Sequence, residues 1–164
     1  MTWFDYGVLT VLGVSFLVGI LRGFAREMIA LAAWFAAFLL AAVFSDTVAG
    51  YMPENLGPML SGLLAFLLIF IAVLVAGGVI GLVVSLMVRA AGMGLADRFL
   101  GAVFGAVRGI AVTLFAVLLA GLTPLPGESF WRQAVLAGPF ETAALALRPY
   151  LPDGMAQRLK YRGS

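Results

Sequence analysis

Four apolar stretches dominate this sequence, at about residues 6–21, 28–45, 59–88 and 99–122. Each reads as a helix that crosses a bilayer. The run from Met28 to Ser45 carries no charged residue, and that from Met59 to Val88 is long enough to span with tilt. The fourth is less clean. Ile110 to Leu122 is short by itself, and carrying it back to Phe99 reaches a spanning length but encloses Arg108. Composition agrees: 63% of the 164 residues are hydrophobic and 11% charged, where a soluble domain has roughly a quarter charged. The expected fold is all-α, a polytopic integral membrane protein with four transmembrane helices in a domain at residues 1–125. Thr123-Pro124-Leu125-Pro126-Gly127 stops the last span, and residues 126–164 form an interfacial tail. Two short amphipathic helices are expected there, placing Phe130, Ala134 and Ala137, then Phe140, Ala144 and Leu147, at helical spacing. Gly138-Pro139 and Pro149 to Gly154 break them, with Trp131 and Tyr150 as anchors in the headgroup layer.

Orientation follows from the basic residues near the spans, because cytoplasmic loops retain Lys and Arg during insertion. Arg22 and Arg26 fill the first loop, and Arg89 and Arg98 the third; the second holds Asp46 and Glu54 and no basic residue. This pattern implies a bacterial inner membrane protein, multi-pass, with both termini outside. Only Arg158, Lys160 and Arg162, remote from the last span, argue the other way. A secretory signal would carry its basic residues before the first apolar run, whereas here they follow it.

Much chemistry is excluded. With no cysteine and no histidine, disulfides, thiolate catalysis and the commonest metal ligand and general base are absent. Gly13-Val14-Ser15-Phe16 superficially resembles a serine nucleophile motif, but the serine has no usual base. No pair of aspartates lies inside the spans, and no glycine loop ends in Lys-Ser or Lys-Thr. No catalytic, cofactor or metal site is expected, and the arginines form no basic block of the kind nucleic acid requires.

Two features remain. Small residues recur at four-residue spacing in every span: Ser15, Gly19 and Gly23; Ala33, Ala37, Ala41 and Ser45; Gly77, Gly81 and Ser85; Gly101, Gly105 and Gly109. In lipid such faces let helices approach closely and gain van der Waals energy; read functionally, they would slide against one another or line a pore. The second feature is a charged set, Arg22, Arg26, Glu27, Asp97, Arg98 and Arg108. Asp97 reads as the N-cap of the fourth helix. Arg108, ~16 Å farther along at 1.5 Å per residue, falls near mid-bilayer and must snorkel, face water or pair with an acid. Glu27 is the expected partner, ahead of Asp5 and Asp97. Were the fourth helix to begin near Val107, Arg108 would be an ordinary interfacial residue. Leu21-Arg22-Gly23-Phe24 is echoed by Val107-Arg108-Gly109-Ile110, a faint hint of a duplicated hairpin.

These residues carry a resemblance. Trp3-Phe4-Asp5-Tyr6, Arg22-Gly23-Phe24-Ala25-Arg26-Glu27, and above all Asp97-Arg98 with Leu100-Gly101, Phe104-Gly105 and Arg108-Gly109 resemble the colicin V production protein family over about the first 125 residues. The resemblance implies a four-span inner membrane protein tied to toxin production or export and to envelope homeostasis. Some relatives join this module to an extracytoplasmic serine protease, which favours an outer carboxyl terminus; the 164 residues leave no room for such a domain. The expected function is a non-catalytic membrane module or scaffold whose partners are the lipid bilayer and either further copies of itself or export and envelope proteins. The alternative is an oligomeric channel or transporter with a polar pathway around Arg108.

Overall fold

A computed structural model describes residues 1–53, 56–147 and 149. Among these residues every regular element is helical: α1 (Trp3–Arg22), α2 (Phe24–Ala49), α3 (Gly57–Ala90) and α4 (Gly94–Gly121), then a single 3-10 turn (Leu125–Gly127), α5 (Ser129–Arg132) and α6 (Ala137–Ala146). The first four are long and apolar enough to cross a membrane. They exceed the expected spans at nearly every end, because polar helix-forming residues outside the apolar runs continue the backbone ladder. Glu54, Tyr150 and the basic residues Arg158, Lys160 and Arg162 lie outside the described residues.

The chain divides into two compact units, residues 20–101 and residues 1–19 with 102–164. In the first, α2 packs along α3. The packing inverts that of a soluble protein. Ala33, Ala37 and Ala41 of α2 and Ser61, Ala65, Gly77, Gly81 and Ser85 of α3 are buried, while Trp34, Phe38, Leu39, Leu68 and Ile71 are exposed. Lipid is as apolar as leucine, so large side chains gain nothing by turning inward, whereas small ones bring the backbones together. Gly77 sits against the Ala33 methyl, with no space for a Cβ of its own. Gly81 faces Arg26 and Ile29, its Cβ position 3.4 Å from Arg26 Cγ. Beside this seam, Trp34 packs edge-on against Phe70 at 5.3 Å, and Phe38 against Phe66 at 5.9 Å.

In the second unit the tail helices pack on the beginning of α1 and the end of α4. Val117, Trp131, Ala137 and Ala144 are buried together, with Phe4, Leu114, Leu118 and Phe140 packed around them. Two tail expectations are corrected. Gly138-Pro139 does not break a helix but lies in the first turn of α6, where proline's missing N–H would be unpaired in any case. Trp131 is not an exposed anchor. It is 4% exposed, packed against the tilted Phe4 ring at 4.3 Å, and its indole N–H donates to Glu141 Oε1 at 2.6 Å, which satisfies the one polar group that would otherwise keep it at the surface.

Gly77→Val should lower stability by about 2 kcal/mol, the usual cost of overpacking, in a denaturant titration in mild detergent. Gly78, with open space at its Cβ position, provides the control: Gly78→Ala should leave the midpoint where it is. Equal midpoints for Gly77→Val and wild type would remove the α2–α3 seam from the account.

Candidate functional site

One residue, Gly23, separates α1 from α2. Its φ of 83° and ψ of 160° belong to a region that only glycine enters readily. The turn leaves no loop residue to cap the start of α2, and α2 has no side-chain cap from its own N-terminal residue. The cap comes from elsewhere: Asp97 Oδ1 accepts the Ala25 N–H at 2.8 Å. The same carboxylate fills the space a Gly23 side chain would occupy, so the glycine meets a steric as well as a torsional demand. The other side of the break is also closed, since Arg89 Nη2 donates to the Leu21 carbonyl at 3.3 Å. Arg22 Nη1 bonds Glu27 Oε1 at 3.4 Å, with Glu27 buried and Arg22 half-exposed. The expected loop holding Arg22 and Arg26 is therefore almost no loop, as Arg26 and Glu27 lie in the first turn of α2. Asp97 is likewise not the N-cap of its own helix. α4 starts at Gly94, and the carboxylate, within that helix's first turn, serves α2.

The expectation for Gly23 and Asp97 is graded. Gly23→Ala should cost about 2 kcal/mol or more, combining a forbidden backbone region with displacement of Asp97. Asp97→Ala should cost about 1 kcal/mol, as for other lost caps, and Asp97→Asn less because its amide oxygen still accepts. Unfolding titrations in detergent check the order, and a wild-type midpoint for Gly23→Ala would contradict it.

In the other unit, Arg108 lies about half-way along α4. This corrects the option of a helix starting near Val107. Its Nε donates to Ser15 Oγ at 3.3 Å and its Nη2 to the Ser15 carbonyl at 3.3 Å. Gly105 and Gly109 flank this contact. A Cβ at Gly105 would overlap the Ser15 carbonyl, and one at Gly109 would lie 3.1 Å from Ser15 Cβ. Thus the small-residue face and the intramembrane arginine form one feature: the glycines admit α1 closely enough for a guanidinium to reach its backbone. The neighbouring hydroxyl of Thr113 is satisfied by the Gly109 carbonyl at 2.8 Å. The sequence echo is not structural, since Gly23 is a break at positive φ and Gly109 lies within a helix. Gly19 and Gly101 are buried as well, and Arg98 is exposed.

Asp5, which the sequence offers as an acid near a span and as part of Trp3-Phe4-Asp5-Tyr6, has a role that its sequence position does not reveal. It is fully buried, and its carboxylate accepts N–H groups from Thr2 at 2.9 Å, Leu136 at 2.9 Å and Val135 at 3.3 Å. It therefore caps the start of α6 and fastens the tail to the beginning of α1. A lone acid in the first turn of an otherwise apolar helix was the available signal. Asp5→Ala should free this tail, raising the rate of trypsin cleavage at Arg132 about tenfold, in line with losing ~1.4 kcal/mol of capping. An unchanged cleavage rate would rule out the fastening role.

Among the described residues no three Asp, Glu, His or Cys side chains gather where they could hold a metal ion. An apolar cavity of about 290 Å³ lies between Phe4, Val8 and Val11 of α1, Thr113 and Val117 of α4, and Trp131. It holds no acid, base or nucleophile beyond the Thr113 hydroxyl already used. The arrangement can position helices and close their ends.

Comparison with known proteins decides the family. A model of the colicin V production protein family matches residues 4–145. The chain belongs to that family. It is 31% identical over 133 residues to a colicin V production protein homolog of Haemophilus influenzae, covering 80% of this chain and 82% of that one. To the colicin V production protein of Escherichia coli strain K12 it is 29% identical over 152 residues, covering 92% and 94%. No solved structure matches the chain. The family match runs past residue 125, so the likeness takes in α5 and nearly all of α6, beyond the extent expected from the motifs alone.

Proposed function

We propose that this member of the colicin V production family acts in colicin V production as a non-catalytic module of the bacterial inner membrane, with both termini outside and a scaffolding role in export and envelope homeostasis. The observation that carries the reading is the use made of the intramembrane and helix-end charges. Asp5 holds the tail, Asp97 holds the start of α2, and Arg108 holds α1 through Ser15. Each places one helix on another, and the cavity between α1 and α4 is lined almost wholly by apolar side chains. The exposed Leu, Phe and Val of the spans offer other membrane proteins an apolar surface. The position of Arg108 half-way along a spanning helix favours one second reading, an oligomeric channel or transporter with a polar pathway there.

Arg108→Leu separates the two. In cells deleted for their own colicin V production protein, the wild-type chain should restore colicin V release and Arg108→Leu should return it to background, with equal amounts of both in the membrane. Proteoliposomes holding either protein should stay tight to ions and small solutes. Full activity of Arg108→Leu would remove the arginine from the proposal, and a flux that depends on Arg108 would establish the channel instead.

A further inference from the structure

Residues 20–101 gather four arginines at neighbouring helix ends: Arg22 closes α1, Arg26 lies in the first turn of α2, Arg89 in the last turn of α3, and Arg98 follows Asp97 near the start of α4. Two contacts bring these ends together, Arg89 on the Leu21 carbonyl and Asp97 on the Ala25 N–H. Arg26 and Arg98 are thus the sequence neighbours of the two partners in a 2.8 Å hydrogen bond. Glu27 pairs with Arg22, and Asp97 Oδ1 accepts the Ala25 N–H, so these four arginines outnumber the two acids beside them. Arg26 is half-buried and Arg98 exposed, and among the described residues neither makes a hydrogen bond or an ion pair. Guanidiniums gathered at one set of helix ends in excess over the acids there attract an anion. At the ends of spanning helices the anion at hand is the headgroup phosphate, whose oxygens match the guanidinium fork. Leu95 and Phe99, on either side of Arg98, and Met28, close to Arg26, are exposed apolar residues against which acyl chains can lie.

We infer that Arg26 and Arg98 form a binding site for the phosphate of an anionic phospholipid headgroup, with Arg22 and Arg89 adding to the positive field. Asp97 occupies the start of α2, so the side chains, not the helix end, hold the phosphate. The inference stands apart from the scaffold reading and survives its failure. Each arginine near an anionic lipid surface contributes about fivefold in binding, so the pair amounts to about 25-fold.

The test is the retention of phosphatidylglycerol against phosphatidylcholine by the purified full chain, read by native mass spectrometry from mild detergent. Wild type should retain phosphatidylglycerol preferentially, and the double variant Arg26→Gln, Arg98→Gln should lose about 25-fold of that preference. The double variant Arg132→Gln, Arg162→Gln removes the same charge from the carboxyl-terminal part of the sequence and should keep the preference. Should the glutamine pair at 26 and 98 fail to fold, the single variants Arg26→Gln and Arg98→Gln still decide, because each should lose about fivefold of the preference and full retention by both overturns the site. Equal retention by the glutamine pair and wild type, an equal loss in the charge-matched control, or displacement of the lipid by millimolar inorganic phosphate would each overturn the inference.

Discussion

The carboxylate of Asp97 on the open start of α2 is the contact around which residues 20–101 are arranged. A helix end exposes backbone N–H groups that must find acceptors, and near a bilayer water is a less dependable one. A single-residue turn at Gly23 leaves no loop to provide a cap. The acceptor must then come from a helix distant in sequence, and its carboxylate must approach so closely that residue 23 can have no side chain. Arg89 completes the arrangement by donating to the last turn of α1. Asp5 solves the same problem in the other unit, where it closes the start of α6. In both places one acid in the first turn of a spanning helix caps a different helix.

That division of labour explains which parts of the architecture could be read from the sequence. The four spans and the all-helical class follow from apolar runs and composition, which are local and additive. The small residues at 33, 37, 41, 77, 81 and 85 can be picked out for the same reason, by spacing alone, and all six are buried. Capping is not local when the cap is 72 residues away. The nearest helix to Asp97 is its own, and the rule that assigns a cap to the adjacent helix therefore gives the wrong one. The Gly23 break was hidden similarly, because Arg22 to Glu27 has the polarity of a loop although its residues continue two helices. Trp131 beside polar neighbours reads as an interfacial anchor until Glu141, ten residues on, satisfies its N–H.

Arg108 shows how a correct physical demand can be met by an unanticipated group. A guanidinium in mid-helix needs a partner, and the sequence search considered acids. Ser15 meets part of that demand with a hydroxyl and a main-chain carbonyl, which no residue-type argument would single out since every residue has a carbonyl. What the sequence does contain is Gly105 and Gly109, spaced to clear α4 on one side. Read together with Arg108, they specify a close crossing with a polar bond at its centre.

An arginine is a costly residue for the middle of a span. Leucine at the centre of a span inserts more favourably than arginine by about 3 kcal/mol, and the bonds to Ser15, at 3.3 Å, recover a part of this. A leucine there would let α1 and α4 meet through van der Waals contact at several registers. The arginine, bonded to one residue of α1, favours one register over the others. Its contribution is then in defining how the two helices meet, which is what the scaffold role proposed above would require.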